Sequence, residues 1–109
     1  FRFDWDTTSL AYITDTTADT NASYVEQIKG VTTLVHECYF ADGFEEKAAL
    51  TGHSCLTPVA QVAAMAEPDR TYLVHINPLN ESDVPLDLDS VASIHGNLEV
   101  AFDGQVIDV

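Results

Sequence analysis

Leu10-Ala11-Tyr12-Ile13-Thr14-Asp15-Thr16 is an apolar run that gives way, within seven residues, to a polar turn bearing a carboxylate. Its first part has the aromatic and β-branched make-up of a strand, and Thr-Asp-Thr is turn chemistry. The same event recurs twice further on. Val31 to Tyr39 is a nearly continuous apolar strand of the kind covered on both faces, with His36 and Glu37 near its end. Thr71 to Ile76 is another buried strand, with His75 near its end. Gly52-His53-Ser54 falls in the break between two helical stretches. In open α/β sheets the carboxyl ends of the strands are where ligands collect, so the chemistry-bearing residues share one edge.

The remaining elements fit around these strands. Phe1 to Trp5 alternates apolar and polar residues, and Asp6-Thr7-Thr8-Ser9 turns it back as a hairpin with Leu10 to Thr14. Ser23 is placed to N-cap a short helix running to Lys29, which Gly30 ends. Asp42-Gly43 opens a helix to about Leu50, which Gly52 breaks. A second helix follows from Leu56 to Ala66, with Leu56, Val59, Ala60, Ala63 and Ala64 as its apolar stripe and Pro58 in its first turn. Asn77 to Ser90 reads as an acidic surface loop, solvated rather than calcium-binding, since no EF-hand spacing appears. Asn97 to Phe102, Asp103-Gly104 and Gln105 to Val109 read as a closing hairpin. The order β-β-α-β-α-α-β-β-β specifies an α/β chain: one mixed sheet with helices on a face.

Composition narrows the partners. The 109 residues, 46% of them apolar, can bury a sheet face. Four basic residues against 18 acidic ones give a net charge of −14, which repels phosphate backbones and anionic membranes. The cations Arg2, Lys29, Lys47 and Arg70 are scattered rather than clustered. Low lysine with abundant aspartate and threonine is a composition that a high-salt cytoplasm favours. Cys38 and Cys55 form no C-x-x-C and fit reduced, buried thiols, so a cytoplasmic location is expected. The chain opens without Met and without a signal-peptide pattern, as though mid-protein.

Asp15, His53 and His75, 38 and then 22 residues apart, supply one carboxylate and two imidazoles. A hydrolytic metal site needs such an oxygen ligand and such imidazoles, plus an open position for water. Each residue also has a plainer reading. Asp15 can cap its turn, His75 can end a strand as a core histidine, and His53 with Ser54 can cap the following helix. His36 and Glu37 read as a pair that orients another imidazole or packs in the core. His95, beside Gly96, reads as an ordinary exposed histidine.

The strings Leu10 to Thr16, Leu34-Val35-His36-Glu37, Gly52-His53-Ser54 and Leu73-Val74-His75, in this order and spacing, resemble the C-terminal half of a metallo-β-lactamase-fold hydrolase. The branch they resemble is ribonuclease Z and its phosphodiesterase relatives. The closing run Val100 to Ile107 is similar to the way many members of that fold end.

The resemblance implies half of a four-layer αββα sandwich, with residues 1–109 supplying one mixed sheet and its outer helices. It implies two divalent ions, zinc in the first instance, with manganese or iron as alternatives. In that pattern Asp15 bridges the metals, His75 is the last histidine ligand, and His53 assists the leaving group. His36-Glu37 matches the start of the branch's His-Glu-Ala-Thr string, whose end is here Cys38-Tyr39. Thr16 is expected to hold Asp15 through its hydroxyl.

Two features depart from the branch. The His-x-His-x-Asp-His signature of the N-terminal half has no match here. Asn77-Pro78-Leu79-Asn80 stands where a Ser-Pro-Arg-Tyr-like string follows the last ligand, so an arginine suited to phosphate is missing. The expected activity is a metal-dependent phosphodiester hydrolase using metal-activated water, acting on a small molecule rather than tRNA. The alternatives are a non-catalytic binding subunit of the same fold, or a hydrolase of another ester, lactone or thioester. Too few ligands for a metal, and a sheet with one unpaired apolar face, make the N-terminal half of the fold the expected partner. No membrane is expected as a partner, and the complete protein is expected to be a homo-oligomer.

Overall fold

The computed structural model describes residues 1–77 and 86–109. A single five-stranded sheet runs β1 (Arg2–Asp4), β2 (Ser9–Ile13), β3 (Thr33–Glu37), β4 (Arg70–Val74), β5 (Leu98–Val100), in that spatial order. β1 pairs antiparallel with β2, and β2 to β5 are all parallel neighbours, which makes the sheet mixed. Parallel neighbours need crossovers, and these are α1 (Ser23–Ile28), then α2 (Glu45–Thr51) with α3 (Leu56–Ala66), then a 3₁₀ turn at Leu88–Val91.

Helices α1 and α3 and the 3₁₀ turn pack on one face of the sheet. Leu56, Val59, Ala60 and Ala63 of the expected α3 stripe, with Val62 buried and Ala64 only half-buried, meet Ala11, Leu34 and Leu73 from the strands in one buried cluster. Its fit explains why the periodicity fixes both ends of α3. The first turn of α3 is capped from a distance: the Asp42 carboxylate accepts the Thr57 N–H at 2.9 Å and the Thr57 hydroxyl at 2.6 Å. A smaller cluster of Phe40, Ala48 and Cys55 ties α2 to the carboxyl edge of β3. All of β3 is buried, its polar Thr33, His36 and Glu37 included, as befits a central strand. The register sets Tyr12, Val35 and Tyr72 side by side on the opposite face. Near them Phe1, Phe3 and Trp5 stand exposed, Phe3 stacked on Trp5 at 6.4 Å.

Three expectations are corrected. Ser23 is the first residue of α1 rather than its cap, which is Ala22. The closing hairpin does not form: its Asp103-Gly104 turn is present, with Gly104 at φ 82° and Gln105 N–H on Phe102 O at 3.0 Å, but residues 105–109 make no strand. The Gln105 side chain instead takes the Phe102 N–H and donates to Glu99, so local bonds replace a ladder. His95 is half-buried against Thr71, with its ring Nε2 3.4 Å from the Thr71 hydroxyl, and burial lowers its pKa. Of the loop expected over 77–90, residues 78–85 lie outside the described residues. No helix among the described residues is long and apolar enough to cross a membrane.

Candidate metal centre

Asp15 follows β2, His75 follows β4, and His53 follows α2; the sheet carries all three to its carboxyl edge. One ligand atom from each lies within 4.8 Å of the other two, a spacing that a single cation can span. The donor set, one carboxylate and two imidazoles, suits zinc or a similar ion with positions left open. His53, expected to assist the leaving group, lies in one cluster with the two expected ligands.

The backbone is bent to make this happen. Asp15 (φ 50°) and His75 (φ 56°) both adopt the left-handed conformation, which is strained for residues with a Cβ and clusters at functional sites. Gly52, the αL cap of α2 at φ 74°, turns the chain so that His53 points back to the edge.

A buried carboxylate organises the loops. Glu37 is fully buried and accepts four hydrogen bonds, all from N–H groups. Its Oε1 takes the Thr16 N–H at 3.1 Å and His53 Nδ1–H at 3.0 Å. Its Oε2 takes the Tyr39 N–H at 3.1 Å and the Ser54 N–H at 3.2 Å. An acceptor-only group with no competing donor is an ionised carboxylate. With Nδ1 engaged, His53 has Nε2 left for a ligand or a proton transfer.

Ser54 adds a second clamp: its hydroxyl donates to Thr16 O at 2.6 Å and accepts the Ala18 N–H at 2.8 Å. It therefore grips the loop carrying Asp15 instead of capping α3. Thr16 holds its neighbour through these main-chain bonds, not through its hydroxyl as expected, for that hydroxyl makes no hydrogen bond among the described residues.

His36 stands one step behind. Its Nδ1–H donates to Glu37 O at 2.7 Å, and its Nε2 accepts the Tyr24 hydroxyl at 2.9 Å. Burial lowers the His36 pKa and so keeps the ring neutral, which this bonding pattern requires. Burial, with Glu37 and Asp19 nearby, pushes the Tyr24 hydroxyl up to about 12, so it stays a donor. The Cys38 thiol is driven up by burial and by Glu37, and that of Cys55 to about 11 by burial and neighbouring acids, so both are neutral thiols near neutral pH, and neither belongs to the Asp15, His53 and His75 cluster.

Sequence reasoning missed Tyr39 and Ser54. Tyr39 stacks on His53 (centroids 4.6 Å apart, planes at 22°) and lies 5.3 Å from His75. The only signal for it was its place after His36-Glu37; for Ser54, its place after His53. Two grooves flank the cluster: one lined by Phe1, Tyr12 and Tyr24 beside Asp15, the other by Ile76, Phe102 and Asp103 beside His75. Neither is lined by lysine or arginine among the described residues.

With that geometry in place, the chain is similar to several known proteins. A ribonuclease Z from Myxococcus xanthus is 36% identical over 87 residues, covering 78% of this chain and 28% of its own length. The metallo-β-lactamase-fold protein YhfI from Bacillus subtilis superposes with a TM-score of 0.76 at 16% identity, over 91% of this chain and 39% of that one. The human short-form tRNase Z gives 0.71 at 20% identity, over 93% of this chain and 33% of that one. No protein-family model matches the chain. The chain thus spans about a third of the length of the proteins it resembles.

Proposed function

We propose, from the premise that this chain has the metallo-β-lactamase fold and belongs to its ribonuclease Z-like branch, that it is the C-terminal half of a metal-dependent hydrolase. The carrying observation is the convergence of Asp15, His53 and His75 within 4.8 Å. Asp15 and His75 would hold divalent metal, with two ions in the complete site and the remaining ligands coming from the rest of the protein. A bound divalent cation supplies polarisation of a phosphoryl oxygen and a water acidic enough to attack it near neutral pH. His53 protonated on both nitrogens keeps Nδ1–H on Glu37 and gives the Nε2 proton to the departing oxygen. Glu37 stabilises that imidazolium and fixes its direction, at 3.0 Å.

A small phosphodiester is the favoured substrate. Arg2 is paired with Asp4, Lys29 with Glu26, and no cation among the described residues lines either groove, so this half of the site offers no side-chain positive charge to a polyanion. The exposed Phe1, Phe3, Trp5 and Tyr12 support contact with the other half of the fold across the helix-free face. The test is metal content and turnover of bis(nitrophenyl) phosphate by the complete protein. Wild type should bind metal and turn over, and Asp15→Asn, which tolerates the left-handed backbone, should lose both while the metal-stripped forms of the two proteins melt alike. Full metal occupancy without turnover refutes the phosphodiesterase reading.

A further inference from the structure

We infer that Tyr39 is a positioning residue of the metal centre, its ring setting the plane of the His53 imidazole; the inference rests on the site as read above. A hydrogen bond from Nδ1 to Glu37 fixes one atom of His53 but leaves the ring free to swing about that bond. A second restraint of a different kind is needed to aim Nε2, and a parallel aromatic face supplies it. Tyr39 and His53 lie 4.6 Å apart with planes at 22°, within the offset-stacked range. The same ring lies 5.3 Å from His75 at 59°, so it touches both imidazoles of the cluster, which are themselves 5.1 Å apart.

Tyr39 is itself held fast. Its N–H donates to Glu37 Oε2 at 3.1 Å and its carbonyl accepts the Asn77 N–H at 3.2 Å, which ties it to the segment just after His75. Behind it Phe40 makes an edge contact at 4.9 Å, and Phe40 stacks on Phe44. An aromatic column thus runs from the surface to the ligands. Nothing in the resemblance supplies this device, since threonine ends the branch's string where Tyr39 stands and threonine has no face to stack. The Tyr39 hydroxyl makes no hydrogen bond among the described residues, so the ring rather than the phenol carries the role.

The test uses the complete protein loaded with cobalt(II), comparing Tyr39→Phe and Tyr39→Leu. Y39F should keep cobalt affinity within about twofold of wild type, with an unchanged visible absorption band. Y39L should weaken cobalt binding about 10-fold or more through its lost contact with the ligand His75, the usual cost of losing a ligand-orienting partner. It should also shift the band and lower kcat more than it raises KM. Should Y39L unfold by circular dichroism, Y39M (similar in volume but faceless) carries the same expectation. A Y39L or Y39M protein with wild-type affinity and band overturns the proposal. Wild type that binds cobalt without turnover removes the hydrolase reading alone, and the affinities and bands still decide this one; wild type that binds no cobalt overturns both.

Discussion

Replacing Glu37 by glutamine tests whether one buried carboxylate holds the site together. Each oxygen of Glu37 accepts two N–H donors: Thr16 and His53 on Oε1, Tyr39 and Ser54 on Oε2. An amide replaces one acceptor with an NH₂ group, so either orientation leaves two donors facing a donor. A buried donor left unpaired costs about 1–3 kcal/mol, which gives about 2–6 kcal/mol for the pair. One escape exists: His53 can shift its proton to Nε2 and accept from the amide at Nδ1. That saves one bond, about half of the loss, but Nδ1 then no longer donates to a carboxylate, so the imidazolium that gives up the Nε2 proton loses its counter-charge. E37Q should therefore lose stability, metal affinity, or both. Urea unfolding of the metal-stripped protein reads the first, and cobalt titration the second. E37Q within 1 kcal/mol of wild type and with unchanged affinity would show that Glu37 is a bystander.

Gly52→Ala meets no atom within 4 Å at its new Cβ, so its cost is the left-handed φ alone, about 1–2 kcal/mol, readable as a lower urea midpoint. Asp42→Ala removes the distant cap of α3 and should cost about 0.5–2 kcal/mol without changing cobalt affinity; a change in affinity would contradict the separation of cap and site. The pKa of His36 is lowered by burial, so its contribution is complete above pH 6.5 and falls as the unfolded chain takes up the proton below it. Between pH 6.5 and 5 the wild type should lose up to about 1.4 kcal/mol per pH unit more than His36→Gln, and parallel pH profiles would refute this.

What could be read from the chain without coordinates was whatever is local. Helix α3 matched to both ends because its signals are local: its stripe and Pro58 lie within it, and Glu67, its left-handed cap, and Pro68 follow directly after it. Asp15, His53 and His75 were legible because each ends an element or opens a loop, where a polar residue stands out. The final hairpin failed for the opposite reason: its turn is local and formed, but its ladder had to compete with the Gln105 side chain. Likewise no pattern in the sequence could pair Glu37 with His53, 16 residues away, or Ser54 with Thr16, 38 residues away. Those bonds follow from the parallel register of β2, β3 and β4, which only the assembled sheet defines.

The grip of Ser54 on the Thr16 loop also dictates a timetable for synthesis. A chain emerging from a ribosome exposes Asp15 long before the hydroxyl that will fasten its loop, 38 residues later, has been made. Until α2 has turned at Gly52 and Ser54 reaches back, that loop lacks the clamp that holds its left-handed bend. The bend that carries Asp15 is therefore among the last features to be fastened, set only once the sheet has zipped together.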